Sequence, residues 1–210
     1  MQPKVEKLCR QIKKDFTDIP VPDDWIWSQA VAPQIVDCVL SLRKKYDTVV
    51  EPRVRDLVQR HPDLITCRQL VELIESYPDP LAFHQQELQM KSARKGLTML
   101  ELARQLDEIQ HDFEGGIEPE RLRRWAEWAH PGDYLMLGVP GLGLAGFQYI
   151  RMLLGGQTVK PDVHVIRYVE QALGEKVADI QAVYLIEQAG KALDLPTKHL
   201  DVAIWVRGAW

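Results

Sequence analysis

Only three cysteines, Cys9, Cys38 and Cys67, occur in 210 residues. They are scattered, odd in number and never paired as CxxC, which argues against a disulfide framework or a cysteine-based structural zinc site. Sparse thiols of this kind fit a reducing compartment. No apolar run approaches the roughly 20 residues a membrane-spanning helix needs. The charged opening MQPKVEKLCRQIKKDF also lacks the apolar segment of a secretory signal. A surplus of positive charge is missing too. Lys plus Arg is 26 against 30 for Asp plus Glu, a formal charge of −4, with a pI of about 5.9. This excludes a globally basic nucleic-acid binder, so any such binding must rest on local basic groups and backbone amides. No internal repeat and no alternating strand–helix pattern runs along the chain.

What is present is helical periodicity. Hydrophobic residues make up 46% of the chain and charged residues 27%, enough for a substantial core in one domain or two small lobes. Val5, Leu8, Cys9, Ile12 and Phe16 space out one apolar face. After the IPVPDD break, Asp23 and Asp24 can cap a helix through WIWSQAVAPQIVDCVLSLRKKY, interrupted or restarted near Pro33. Pro52 opens a short helix that Pro62 ends, and CRQLVELIESY reads as the next. Residues 82–113 read as two helices with Gly96 between them. ERLRRWAEWAH follows Glu118 and Pro119, and HPGD reads as a turn. VHVIRYVEQALG, VADIQAVYLIEQAGKAL and HLDVAIWVRG complete an all-α chain.

The one unusual glycine pattern is YLMLGVPGLGLAGFQYIRMLLGG. Gly141, Gly143 and Gly146 form a literal GxGxxG with an acid, Asp162, downstream. That is the outline of a dinucleotide-binding fingerprint, which requires YLMLGV to be a strand and a second parallel strand to follow. The other reading is a tight hairpin at VPGLG between two helices. Gly141 and Gly143 then permit the turn and a close approach, and the amides of Gly143, Leu144 and Ala145 open a helix N-terminus that favours an anion. A DNA phosphate would be positioned there without its sequence being read. An ordinary packing turn between helices fits the same residues.

Two motifs in order carry a resemblance. Val139-Pro140-Gly141-Leu142-Gly143 is followed by Gly155-Gly156 and then by Pro161-Asp162-Val163-His164-Val165-Ile166-Arg167. Together they resemble the helix-hairpin-helix, Gly/Pro-rich loop, Asp superfamily of DNA glycosylases typified by endonuclease III, over about residues 30–172. MKSARKGLTMLELARQL resembles a helix upstream of that family's hairpin. The resemblance implies a two-lobed all-α fold with the helix-hairpin-helix at about 132–154. One lobe would hold residues 1–35 and 163–210, the other residues 36–162. The C-terminal helices would pack back on the N-terminal ones. It also implies that Asp162 is the catalytic acid, stabilising an oxocarbenium-like sugar and activating water. DNA contacts would come from Pro140, Gly141, Leu142, Gly143, Leu144, Ala145, Arg151 and Lys160, with Arg94 and Lys95 as further phosphate contacts. A monovalent cation, K+ or Na+, would sit on the carbonyls of Leu137, Val139 and Leu142. Asp162 is equally placed to be a helix N-cap.

The departures from that pattern matter. The strand-cutting members carry a lysine where Ala145 stands, so the resemblance points to a monofunctional enzyme with water as nucleophile. Lys160 does not match the lysine's position and reads as a solvated charge. Val163 and Pro161 replace the usual threonine and valine. No cysteine lies beyond Cys67, so no iron–sulfur cluster is expected, and no cofactor is required. The partner implied is double-stranded DNA with a damaged or mismatched base, which must leave the stack for chemistry. Trp25, Trp27, Gln29 and Gln34 fall in the segment that would line the cleft. Trp125, Trp128 and His164 read more simply as structural residues. The expectation is a monomer in the cytoplasm, associated with the nucleoid, or in another reducing compartment that contains DNA. A non-catalytic DNA-binding relative and a nucleotide-binding protein using GLGLAG remain as alternatives.

Overall fold

Helix α2, Val31–Leu40, is buried along its whole length, and the fold is arranged around it. A helix without a polar face must be enclosed. The computed structural model describes residues 2–17, 19 and 30–208. The expected cap at Asp23 and Asp24, and the residues Trp25, Trp27 and Gln29, lie outside the described residues. Among the described residues all regular structure is helical and there is no strand.

Around α2 pack α3 (Glu51–Arg60), α4 (Cys67–Glu75), α6 (Ala93–Ile109) and α9 (Leu144–Leu153). α5 (Pro80–Gln86) lies on α6, and α7 (Glu118–Trp128) on α9. Local rules place the boundaries. Pro52 sits in the first turn of α3, where its missing amide costs nothing. Thr66 and Gln69 close a capping box at the start of α4, with Gln69 Oε1 accepting the Thr66 amide at 2.9 Å. These helices share one core, in which Phe83, Met99, Leu102 and Phe147 are fully buried.

Gly96 departs from the expectation. It is not a break but an interior residue of α6, which starts at Ser92, whose Oγ accepts the Lys95 amide at 3.2 Å. The break lies before Ser92. A Cβ at position 96 would collide with the Pro80 carbonyl, so the glycine serves the crossing of α6 with α5 and not a turn.

A second core is built by α1 (Pro3–Asp15), α10 (Val163–Leu173), α11 (Asp179–Leu193) and α12 (Thr197–Gly208). Val5, Leu8, Cys9 and Ile12 are buried, and α1 packs against α10 and α11. The two chain ends therefore meet in one group. The cores divide differently from the sequence expectation. Val31, Ala32 and Ile35 belong with the first core, and Val159 with the second. The crossover therefore lies in the loop after α9.

That loop is stitched to both sides. Arg151 of α9 donates through Nη1 to Gln148 Oε1 at 2.8 Å and through Nε to the Ala126 carbonyl at 3.1 Å. Gln148 Nε2 reaches Thr158 Oγ1 at 2.6 Å, and Thr158 donates to Glu187 of α11 at 2.7 Å. Gln148, Arg151 and Thr158 are all buried. A chain of satisfied polar groups of this kind fixes one mutual arrangement, because a broken link leaves a buried group unpaired.

Candidate functional site

The segment VPGLG forms a tight turn after a short helix, α8 (Tyr134–Leu137), and before α9. The Leu142 amide donates to the Val139 carbonyl at 3.1 Å. Pro140 and Gly141 occupy the two central positions, and Gly141 has φ 86°. This is the type II turn that Pro followed by Gly favours. α6 supports it from behind. Thr98 Oγ1 lies 2.6 Å from the Pro140 carbonyl and 2.8 Å from that of Arg94, sharing one proton. A Cβ on Gly141 would fall 2.7 Å from Thr98 Oγ1 and 3.1 Å from Arg94 Nε. Exposed Arg94 therefore lies beside the turn.

Gly143 is the N-cap of α9. It is exposed and extended, makes no side-chain cap, and has open space where a Cβ would be. Leu144 and Ala145 are half-buried and Gly146 is buried. The first turn of α9 is thus a helix start with uncovered amides, where the positive end of the helix favours an anion.

Asp162 is the N-cap of α10. Its Oδ1 accepts from the amides of His164 at 2.8 Å and Val165 at 3.1 Å. Its backbone amide donates to the Lys160 carbonyl at 2.7 Å across Pro161, and the Lys160 amide donates to Asp201 Oδ1 of α12 at 2.8 Å. Asp201 thereby holds the strand of loop that ends in Asp162. Burial, reinforced by the Asp162 carboxylate, pushes the Asp201 carboxyl up to about 7; the Lys160 amide and ammonium oppose this only in part.

Lys160 is not the solvated charge the sequence suggested. It is half-buried, with its ammonium 4.1 Å from the centre of the Tyr149 ring. A cation on an aromatic face is held electrostatically. Tyr149 stands one turn along α9 from Ala145, on the same face. Its hydroxyl donates to Asp37 Oδ1 of α2 at 3.0 Å. The same carboxylate accepts from Tyr46 at 2.9 Å and Ser41 at 3.2 Å. A fully buried carboxylate is tolerable only with such donors. Cys38, next to it, gives its thiol to the Gly146 carbonyl, and burial pushes it up to about 12. It is therefore an inert thiol at neutral pH.

Several expected contacts lie elsewhere. Arg151 is interior and committed to Ala126 and Gln148, with Glu187 at 3.9 Å. It is not available to a phosphate at the hairpin. Lys95 points inward as well, donating at 2.8–2.9 Å to the carbonyls of Val39, Leu40 and Leu42, where it caps the end of α2. Burial, and secondarily Lys44, lowers its pKa to about 8. Trp125 is buried edge-on to Phe147, whereas Trp128 is exposed. Gln34 is buried in α2, and the His164 ring lies against Gly208. YLML is helical and VHVIRYV is the start of α10. The strands that a dinucleotide fingerprint requires are therefore not formed by those segments.

Asp37, Tyr149 and Asp201 were missed by sequence reasoning. The signal was an acid inside an apolar helical run, IVDCVL for Asp37 and LDVAI for Asp201, which places a carboxylate on a packed face. Among the described residues no group of His, Cys, Asp and Glu is arranged to hold a metal, and no helix is long and apolar enough to cross a membrane. Residues 133–208 match the profile of a domain of unknown function, DUF8548. That span begins just before α8 and includes the turn, the Asp162 loop and α10–α12. No curated protein and no solved structure matches the chain.

Proposed function

We propose that this protein is a DNA glycosylase of the helix-hairpin-helix type, acting on a damaged or mispaired base without cutting the strand. The observation that carries the reading is the course of the Asp162 loop. Through Lys160 it lies on the Tyr149 ring, on the α9 face that begins with Ala145 in the turn after the hairpin. Among the described residues the Asp162 carboxylate accepts only on Oδ1, from its own helix, and on this reading it and the anion-favouring start of α9 face the same DNA. A backbone phosphate at the Gly143, Leu144 and Ala145 amides would register the duplex. Asp162 would then face the sugar of a flipped nucleotide.

The chemistry follows from charge. As the glycosidic bond breaks, C1′ becomes an oxocarbenium-like centre. A fixed carboxylate stabilises it and takes the proton of the attacking water. The capping amides hold Asp162 in place, so little reorganisation accompanies the step. Ala145 has no amine, so no covalent intermediate forms there. The Val139 carbonyl already accepts the Leu142 amide, which leaves one lone pair for a cation shared with the Leu137 and Leu142 carbonyls. No step of the reaction depends on that ion. The net charge of −4 makes binding to undamaged duplex weak and salt-sensitive.

The test is a panel of lesion-bearing duplexes followed by alkali. The expected result is alkali-labile abasic sites with the wild-type protein, and none with Asp162→Asn although it still retards DNA. If no duplex in a broad panel is cleaved while DNA binding persists, the protein is a binding-only relative.

A further inference from the structure

A cleft of about 520 Å³ runs between the two cores, and neither the hairpin nor Asp162 lines it. Two of its lining side chains are almost wholly buried: Arg151 of α9, 4% exposed, and Thr197 at the start of α12, 5% exposed. Arg151 points away from the Lys160 contact, because it stands about 200° round α9 from Tyr149. Its Nε donates to the Ala126 carbonyl and its Nη1 to Gln148 Oε1. Its Nη2 has no hydrogen-bond partner among the described residues, and neither has the Thr197 hydroxyl. Neither atom is sealed in the interior, so both reach the cleft.

The first two amides of α12, those of Thr197 and Lys198, also lack acceptors, whereas the His199 and Leu200 amides turn to the Pro196 carbonyl. Burial pulls the Arg151 pKa down, and Glu187 and Asp133 offset this only in part. A buried cation short of partners, beside an open helix start, favours an added anion. An anion alone does not suit the cleft. Glu187 of α11 lines it too; its Oε1 accepts from Thr158 and lies 3.9 Å from Arg151 Nη1, while its Oε2 has no partner among the described residues. The other charged or titratable groups, Glu127, His130, Lys191 and Asp194, are exposed at the rim, with Glu127 paired to Arg123.

We propose that this cleft binds a free α-amino acid with an apolar side chain, held as its zwitterion. The proposal goes beyond the glycosylase reading and does not depend on it. The carboxylate of the ligand accepts from Arg151 Nη2, the Thr197 hydroxyl and the opening amides of α12. Its ammonium donates to Glu187 Oε2. Its side chain lies against Pro131, Leu195 and Pro196. Gly190 keeps the carboxylate end open: a Cβ there would fall 2.9 Å from Thr197 Oγ1 and 3.1 Å from the Leu195 carbonyl oxygen. Arg151 belongs to the first group of helices, Glu187 and Thr197 to the second, so the ligand ties the two cores together and stabilises the folded chain by mass action.

Calorimetric titration of the whole chain tests this with three probes: L-leucine, 4-methylpentanoate, which lacks the ammonium, and 3-methylbutylamine, which lacks the carboxylate. L-leucine is expected to bind and to raise the thermal midpoint, and the other two to bind at least about tenfold more weakly. Arg151 is a strut between the cores, so the variants are placed elsewhere. Thr197→Val removes the hydroxyl at constant shape. Glu187→Gln removes the charge but can still accept from Thr158. Each should weaken L-leucine about tenfold and leave the ligand-free midpoint nearly unchanged, and Glu187→Gln should not weaken 4-methylpentanoate.

Amide NMR locates the site without relying on affinity. Adding L-leucine should shift the Thr197 and Lys198 signals and leave those of Gly143, Leu144 and Ala145 in place. No L-leucine binding up to about 10 mM, equal binding of L-leucine and 4-methylpentanoate, or binding untouched by both substitutions overturns the proposal. None of these outcomes bears on base release, which is read separately on lesion-bearing duplexes.

Discussion

Helices α9 and α10 follow one another in the chain and begin with nearly the same backbone. Gly143 has φ −89° and ψ −176°, and Asp162 has φ −90° and ψ −177°. The side chain alone separates them. At Asp162 a carboxylate covers two amides of its own helix. At Gly143 no side chain covers them, and the surroundings are open. One start is thus capped by an anion from within, and the other has no side-chain cap. A single side chain decides whether a helix N-terminus is capped, and both cases occur within one short stretch of this chain.

The contrast can be broken most severely at Asp162. Asp162→Asn removes the negative charge but keeps a good capping oxygen. Base release should fall about 10²–10³-fold, while the thermal midpoint barely moves. If the midpoint drops and activity survives, Asp162 is a cap and nothing more.

Gly141→Ala probes the turn that presents the open start. It forces a side chain into a left-handed backbone, against Thr98 and Arg94. Urea unfolding should show a loss of about 2 kcal/mol.

Gly143→Asp tests the comparison directly, because the backbone already suits it. Filling the cap should raise stability by a few tenths of a kcal/mol and weaken DNA binding about tenfold, the cost of losing a charge-assisted contact. Gel retardation at two salt concentrations reads the second effect. Unchanged affinity would mean that no phosphate sits there.

The effect that does not bear on DNA binding is a pH dependence of stability. The folded pKa of Asp201 lies above that of the unfolded chain, so the native state binds more protons between about pH 4 and 7. Its contribution is full below that window and is lost as pH rises through about 7. Relative to Asp201→Asn, the wild-type midpoint should therefore fall as pH rises between those limits in a thermal scan.

Much of the fold was legible. The apolar face of α1, the Pro52 start of α3 and the helices after Asp162 follow from spacing and caps that act over one turn. The tight turn at Pro140-Gly141 and the capping position of Asp162 were legible for the same reason. Gly96 was misread because its cause is a crossing helix, α5, that lies outside the local window. Arg151 and Lys95 were misread because a basic residue looks alike in sequence whether it meets water or a buried carbonyl. Tyr149 reads as one more apolar residue of α9 until Asp37 and Lys160 are seen beside it.

By itself the sequence determined an all-helical chain, the turn that opens α9 and the carboxylate that opens α10. These are set by steric limits on φ and by hydrogen bonds between near neighbours. Only the tertiary structure decided that Lys160 lies on Tyr149, that Asp201 reaches the loop from α12, and that Arg151 is a strut between the two cores. Those placements depend on which helices pack together, and burial then decides which charges keep their protons.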